Sequence, residues 1–517
     1  LELLLEGFGF MSEESSPTSY FTVANTSLFL CAAIAVFGLL YPNLLTSISQ
    51  GVTGYFLKVL DWFFLFFCSL CMIVCIALAF TPYGKITLGK KGEKPEFSTP
   101  SWIAMLFAAG MGAGLLFWGV AEPMSHFVSP PDNVEGMTPE AARQAMVYAN
   151  LHWGLHAWGI YGIGALVLAY FGFRKGYPLL PSGPIRAVAK GKTGKRLGDL
   201  ADLVGVLSVV FGVAGSLGMG VMQITSGLSA VSGSDERSMT IWLIVLTLVT
   251  ICYLISAVTG ISKGIQLLSN INIVVAIILM LFILFSGPTS FIMGTFVTSL
   301  GDYLTQVPSL SFRLHVFSGE TEWSRLWTLT YLLWWAAWIP FVGVFIARIS
   351  RGRTIRQFVT GVIVIPTLFT CLWFSVFGGS GIYIELFCQG GVASLLMQDV
   401  AQTIFGFFEF FPLSKLLSGI ALLLIFIFLV TSADSASFVV GMLSRQGELN
   451  PPPREKLFWG VVIAMLTASS LLAGGNVTIM KAIAISGAIP FVFIAIAHIG
   501  ILLKVISQED PEKEVME

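Results

Sequence analysis

Gly110-Met111-Gly112-Ala113-Gly114 lies inside an apolar run from about Ser101 to Ala121, at the depth where a membrane helix should be most regular. Three alternating glycines remove side chains and add backbone freedom, so the helix can thin, unwind or expose main chain to a ligand. In lipid a broken helix is tolerated only where protein or a water-filled cavity satisfies the freed peptide groups. A lone pair of small residues would signal close helix packing. The alternating triplet points instead to a binding site, and the surrounding chain supports that reading.

Among its 517 residues 56% are hydrophobic and 11% are charged, with mean hydropathy +0.85. The charged share is less than half the usual ~25% of soluble domains. The chain therefore reads as an all-α polytopic membrane protein. A formal net charge of −1 gives no reason to expect a nucleic-acid partner. Cys68, Cys71 and Cys75 form one helical stripe within an apolar run and read as packing rather than as a metal site. Residues 1–10 precede Met11 and resemble an expression-tag remnant, and the polar, acidic Ser12–Ser19 stretch does not resemble a signal peptide.

Windows of ~20 apolar residues place twelve transmembrane spans near 25–41, 59–82, 101–121, 144–173, 202–231, 239–259, 265–287, 326–347, 357–379, 413–441, 456–474 and 479–505. An amphipathic interfacial helix is expected between spans seven and eight, within 288–325, and a second such element near Val392–Phe408. The organisation is thus a tail at 1–24, two peripheral spans at 25–82, a first unit at 101–287, a second at 326–505 and a short acidic tail at 506–517. Loops after even-numbered spans carry most of the 28 Lys and Arg: Lys85–Lys94, Arg174–Arg196, Lys263, Arg348–Arg356 and Arg445–Lys456. The opposite loops carry Asp132, Glu135, Glu140, Asp235, Glu236, Glu385 and Asp399. The positive-inside rule then puts both termini in the cytoplasm.

Span four reads His152-Trp153-Gly154-Leu155-His156-Ala157-Trp158-Gly159-Ile160-Tyr161, and span eight reads Tyr331-Leu332-Leu333-Trp334-Trp335-Ala336-Ala337-Trp338-Ile339-Pro340-Phe341. On continuous helices Trp153, Trp158 and Tyr161 share one broad face, and Trp334, Trp335 and Trp338 share another. Tryptophans in membranes often form belts at the headgroups. These two clusters are near mid-span, where indole N–H groups need partners or a cavity. Converging aromatic faces suit a quaternary ammonium, whose main polar handle is cation–π attraction, ~2 kcal/mol or more when desolvated. Pro340 removes a helix hydrogen bond, so span eight is a second interrupted helix, five spans after the first. Breaks in spans three and eight suggest paired five-helix repeats, spans 3–7 and 8–12. In span ten, Thr431-Ser432-Ala433-Asp434-Ser435 admits two readings: hydroxyls lining a sodium nest, or hydroxyls bonded back to their own helix.

Gly110–Gly114 with Trp118, Glu122 and Pro123, the two aromatic clusters, Ala347-Arg348-Ile349-Ser350-Arg351-Gly352-Arg353 and Thr431–Ser435 together resemble the betaine/choline/carnitine transporter family, over roughly Tyr20 to Val505. The resemblance implies a ten-helix inverted-repeat (LeuT-like) core preceded by two extra helices, assembled as a trimer in a bacterial inner membrane. It implies an onium box of Trp153, Trp158, Tyr161, Trp334, Trp335 and Trp338. Gly110, Met111, Gly112 and Gly114 would face the substrate carboxylate. Backbone at Ala108, Met111 and Phe428, with the Thr431 and Ser432 side chains, would hold Na⁺ as the coupling ion, and no other cofactor is implied.

Within that family, choline-type members carry an acid at the position of Gly114, and the antiporter branch carries an arginine in span five. This chain has glycine at the first position and no Arg or Lys in Leu203–Gly233. Both features imply sodium symport of a betaine-like zwitterion: glycine betaine, carnitine, ectoine or dimethylsulfoniopropionate. A proton-coupled choline carrier and a carnitine/precursor antiporter are the alternatives. The family's second sodium site uses span-five threonines, which Phe211–Ser216 lacks.

Neither an enzyme nor a channel is indicated. Gly191-Lys192-Thr193 has Arg186 where a phosphate-binding loop needs its first glycine, and the five histidines are scattered. Rings of carbonyls or charges typical of channels are absent from the sequence pattern. The Lys504–Glu517 tail is acidic, unlike the long basic tails of osmosensing family members that could meet anionic lipid. Little or no activation by osmotic upshift is therefore expected in proteoliposomes. Uptake rising several-fold with external osmolality would contradict this.

Overall fold

The computed structural model describes residues 17–110, 112–233, 238–259, 262–388, 390–448 and 450–511. Side chains at 17–22, 108–110 and 262–266 lie outside that description, as do Met111 and the tail beyond 511. The regular secondary structure among the described residues is helical, with no strand and one isolated β-bridge, Thr87 to Thr354. The helices that position the site are α1 (Pro17–Leu40), α2 (Pro42–Val59), α3 (Asp61–Phe80), α4 (Thr99–Gly110), α5 (Ala113–Val128), α6 (Pro139–Trp153), α7 (Leu155–Ala169) and α8 (Gly191–Ser232). They continue with α9 (Met239–Thr259), α10 (Ser262–Ser286), α11 (Thr289–Leu310), α12 (Thr330–Ala337), α13 (Ile339–Ile349), α14 (Ile365–Phe387), α15 (Ser414–Ser444), α16 (Pro453–Leu472) and α17 (Val477–Ile506).

Among the described residues ten helices are long and apolar enough to cross a membrane, and the bent pair Thr321–Ala337 and Ile339–Ile349 makes an eleventh when counted as one span. The interrupted pair α4 and α5 stands outside that count. Burial separates inner from outer helices. The apolar windows of Pro139–Arg174 and α8 are 89% and 78% buried, whereas those of Val23–Leu40 and α9 are 28% buried. Leu248, Ile255, Ile278 and Phe285 on α9 and α10 are exposed, as lipid-facing side chains are.

Helix α11 occupies the segment where an interfacial helix was expected, and a pair of short helices, Val392–Gln398 and Thr403–Phe408, occupies the second. A further helix was not anticipated: α2 fills what the spans left as a loop between 41 and 59. Its Leu45, Thr46, Ser49, Thr53 and Leu57 are buried on one face, and Thr53 donates to Ala482 O at 3.1 Å. Its mixed composition hid it from a search for apolar windows.

Side-chain caps set several starts. Thr138 Oγ1 accepts from Ala141 N, and Asn476 Oδ1 accepts from Ile479 N at 2.9 Å. Helix α8 passes very close to α17: a Cβ at Gly215 would collide with the Met480 carbonyl oxygen. Cys68, Cys71 and Cys75 are fully buried, as packing side chains.

The basic loops gather at one end of the bundle. Leu88 N donates to Arg353 O, Arg348 pairs with Glu96 at 2.7 Å, and Arg351 pairs with Glu93 at 2.6 Å. Arg174, Lys175 and Tyr170 converge on Glu509 at the same end, Tyr170 donating at 2.6 Å. Burial pushes the Glu509 carboxyl up, but those three partners outweigh it and hold the group at about 2. At the opposite end Asp132 pairs with His315 and Arg313.

Candidate functional site

Each interrupted helix leaves backbone groups without their helical partners, and the structure shows where they go. Helix α6 ends at Trp153 and α7 begins at Leu155, with Gly154 at φ −99°, ψ −131° between them. The freed His152 carbonyl accepts from Trp335 Nε1 at 2.9 Å, the Trp153 carbonyl accepts from Thr370 Oγ1 at 3.0 Å, and Leu155 N donates to Tyr303 Oη at 3.0 Å. A side chain at Gly154 would strike the Asn150 carbonyl and the Tyr303 hydroxyl, so the break requires glycine. Span four was read as one continuous helix, and this break was not anticipated.

Span eight bends by 58° between α12 and α13, at Trp338 rather than at Pro340. Pro340 occupies the first turn of α13, where a missing N–H costs nothing. The Ala337 carbonyl at the bend accepts from Ser208 Oγ at 3.1 Å. In span three, Gly112 separates α4 from α5 in an extended conformation open to any residue (φ −138°, ψ 179°). A Cβ there would meet nothing within 4 Å, so neither backbone conformation nor packing demands glycine at this position.

The three breaks meet around one cavity of about 410 Å³. Trp153, Tyr161, Trp334, Trp335 and Trp338 line it, together with Gly112, Gly114, Phe428, Thr431 and Ser432. Trp335 stands nearly perpendicular to Trp153 (centroids 5.3 Å apart, 87°) and to Tyr161 (4.9 Å, 71°). Trp334 Nε1 donates to Ser216 Oγ at 3.1 Å. Trp338 Nε1 is buried without a partner among the described residues. The cavity extends to Arg348, Met442 and Lys456 at the basic-loop end, and Trp118 and Tyr331, both 1% exposed, form its opposite wall.

Trp158 is the one member of the expected aromatic set that does not line this cavity. It packs behind it, with its ring 6.0 Å from Tyr161 and 6.3 Å from Trp335. Trp158 and Tyr161 both lie on α7, three residues apart, and only Tyr161 of the two is turned to the cavity beside Trp153. Gly114 also has a steric role: a Cβ there would lie 3.2 Å from Trp153 Cη2.

The span-ten hydroxyls divide between the two readings. Helix α15 runs unbroken through Thr431, whose Oγ1 donates to Ile427 O at 2.9 Å. That proton is committed to the helix, yet the oxygen keeps an acceptor lone pair, and both Thr431 and Ser432 line the cavity. Met111 lies outside the described residues, and of Ala108 and Gly110 only the helical backbone is described.

Two charged groups behind the cavity wall were not singled out as site residues. Glu122, fully buried, accepts from Trp153 Nε1 at 2.6 Å through Oε2, and its Oε1 is 2.6 Å from His152 Nδ1. Lys481 Nζ lies 4.7, 4.6 and 4.4 Å from the ring centroids of Trp118, Trp327 and Tyr331. The sequence signal was available: each is an isolated ionisable residue within an apolar stretch, which in membranes marks function by default.

Interrupted apolar helices converging on an aromatic cavity define a multi-pass membrane transporter. Sequence comparison identifies the family: residues 22–511 match the BCCT, betaine/carnitine/choline family transporter, and the chain belongs to that family. It is 42% identical over 484 residues to the glycine betaine transporter OpuD of Bacillus subtilis (strain 168), covering 93% of this chain and 94% of the relative. It is 40% identical over 489 residues to an ectoine/hydroxyectoine transporter of Virgibacillus pantothenticus, covering 94% and 97%. An osmo-dependent choline transporter of Acinetobacter baylyi (strain ATCC 33305 / BD413 / ADP1) is 39% identical over 457 residues, covering 87% and 66%.

The Gly154 break depends on the Tyr303 hydroxyl. Tyr303→Phe leaves the half-buried Leu155 N–H unpaired, at a cost of about 1 kcal/mol. The expected result is a lower unfolding temperature for the detergent-solubilised protein, and an unchanged transition would show that the break is held elsewhere.

Proposed function

We propose that the protein imports a betaine-like zwitterion by Na⁺ symport. The observation that carries this reading is the aromatic cavity itself: Trp153, Tyr161, Trp335 and Trp338 line a space bounded on another side by Gly112 and Gly114. An onium group can be surrounded by ring faces, while a carboxylate meets the glycine stretch, where main chain is uncovered. Trp338 Nε1, buried without a described partner, is an additional donor for a bound anion. Trp158 supports the box by fixing Tyr161 and Trp335.

Glycine at position 114 favours a zwitterion over a bare cation, and a glycine betaine transporter and an ectoine/hydroxyectoine transporter are among the similar proteins. The choline transporter among them makes a proton-coupled choline carrier the alternative. For Na⁺, the all-oxygen donor set of Thr431, Ser432 and main chain at Phe428, Ala108 and Met111 is chemically suitable. The ion would supply electrochemical drive, and Thr431 and Ser432 would present hydroxyl oxygens to it.

Around this site we assign twelve spans, counting α4 with α5, α6 with α7 and α12 with α13 as single crossings and leaving α2 and α11 out. Spans 3–7 and 8–12 form inverted repeats behind two peripheral spans, with the broken helices in matching positions. Three copies assemble as a homotrimer. The gathered basic loops face the cytoplasm of a bacterial inner membrane, so a cavity reaching Arg348 and Lys456 is an inward-facing state of an alternating-access cycle.

Proteoliposomes should take up glycine betaine under an imposed Na⁺ gradient and discriminate it from choline. Uptake driven by a proton gradient alone would overturn the sodium assignment. Trp338→Leu should raise KM at least about tenfold, corresponding to ~1.4 kcal/mol of lost binding. An unchanged KM would remove Trp338 from the site.

A further inference from the structure

Two opposite charges lie behind the cavity wall, each against side chains that form it. Glu122 bonds the indole of Trp153, and Lys481 faces the rings of Trp118 and Tyr331. All three of those aromatic residues line the cavity. Between the charges stand His152, 2.6 Å from the carboxylate, and Tyr331, stacked on His152 with centroids 5.1 Å apart and planes 9° apart. His126 is the other titratable group here, with Nε2 3.4 Å from Glu122 Oε1. Glu122 has an N–H donor at each oxygen, the pattern that satisfies an ionised carboxylate, with the imidazole proton assigned from the network.

The placement has an electrostatic consequence. A carboxylate alone behind Trp153 would make the cavity attractive to any cation, because fields are poorly screened in a low-dielectric interior. A zwitterion gains less from that field, since its own carboxylate is repelled. Lys481, held by three rings rather than tethered in solvent, supplies the cancelling charge.

We propose that Lys481 sets substrate selectivity: its caged ammonium neutralises Glu122 behind the wall and so keeps the cavity selective for zwitterionic onium compounds over net cations such as choline. The proposal rests on the reading of the cavity as an onium site. Lys481 is a positioning residue that acts through the field and through Trp118 and Tyr331. It extends the part played by Gly114, which places no acid at the position beside Trp153, to a charge held behind the cavity surface.

The test compares kcat/KM for glycine betaine and choline with the full chain in proteoliposomes. Lys481→Met should raise the choline-to-betaine ratio about tenfold, and Lys481→Arg should restore the native ratio. Glu122→Gln combined with Lys481→Met should bring the ratio back toward native, which a simple packing defect would not do. Glu122→Gln alone should shift the ratio the opposite way, and this variant decides the question if Lys481→Met does not fold. A ratio unmoved in Lys481→Met, or in Glu122→Gln where that variant decides, overturns the proposal. Native protein that transports neither compound overturns the onium reading instead.

Discussion

A peptide group freed inside a membrane must find a partner, and that constraint shapes the centre of this protein. At Gly154 three such groups are taken by Trp335, Thr370 and Tyr303, which come from three other helices. At Trp338 the Ala337 carbonyl is taken by Ser208 of α8. The partners are thus part of the site. Trp335 holds the span-four break closed with its indole nitrogen while its ring forms a wall of the cavity. Opening a helix and building an aromatic box are one structural event here.

The same economy extends to the charged groups. Glu122 fixes the orientation of Trp153 through a short hydrogen bond, and Lys481 packs against rings that face the cavity on the other side. Neither Glu122 nor Lys481 is among the residues that line the cavity, whose ionisable lining residues are Asp434 on α15 and Arg348 and Lys456 at the basic-loop end. In the proposed reading a zwitterion would meet that surface through ring faces and main chain, with Glu122 and Lys481 offsetting one another behind it. At the basic-loop end the arrangement is different: Arg348 and Arg351 are paired with Glu96 and Glu93, closing loops onto one another beside the cavity's extension.

Much of this was legible in the chain. Among the described residues, apolar windows located the ten helices long and apolar enough to cross a membrane, because burial in lipid demands long uninterrupted hydrophobicity. Alternating glycines and clustered tryptophans marked the cavity, since neither belongs at mid-depth without a reason. The misses have physical causes. Trp158 was assigned a face shared with Tyr161, and residue spacing on one broad helical face does not tell which of the two rings reaches the cavity and which packs behind it. Helix α2 was missed because an amphipathic helix is not apolar on average. Whether Thr431 bonds to its own helix depends on a hydroxyl rotamer that no pattern of residue types specifies. Glu122 and Lys481 were visible one at a time, but their relation through His152 and Tyr331 requires four helical segments to be packed first.

The central claim is that the helix breaks and the aromatic rings together form one onium site. The most direct measurement is a structure determined with glycine betaine bound. The trimethylammonium group should lie within about 6 Å of the ring faces of Trp153, Tyr161, Trp335 and Trp338, with its carboxylate toward Gly112–Gly114. Substrate found instead near Arg348 and Lys456, with the aromatic cavity holding only water, would contradict the account.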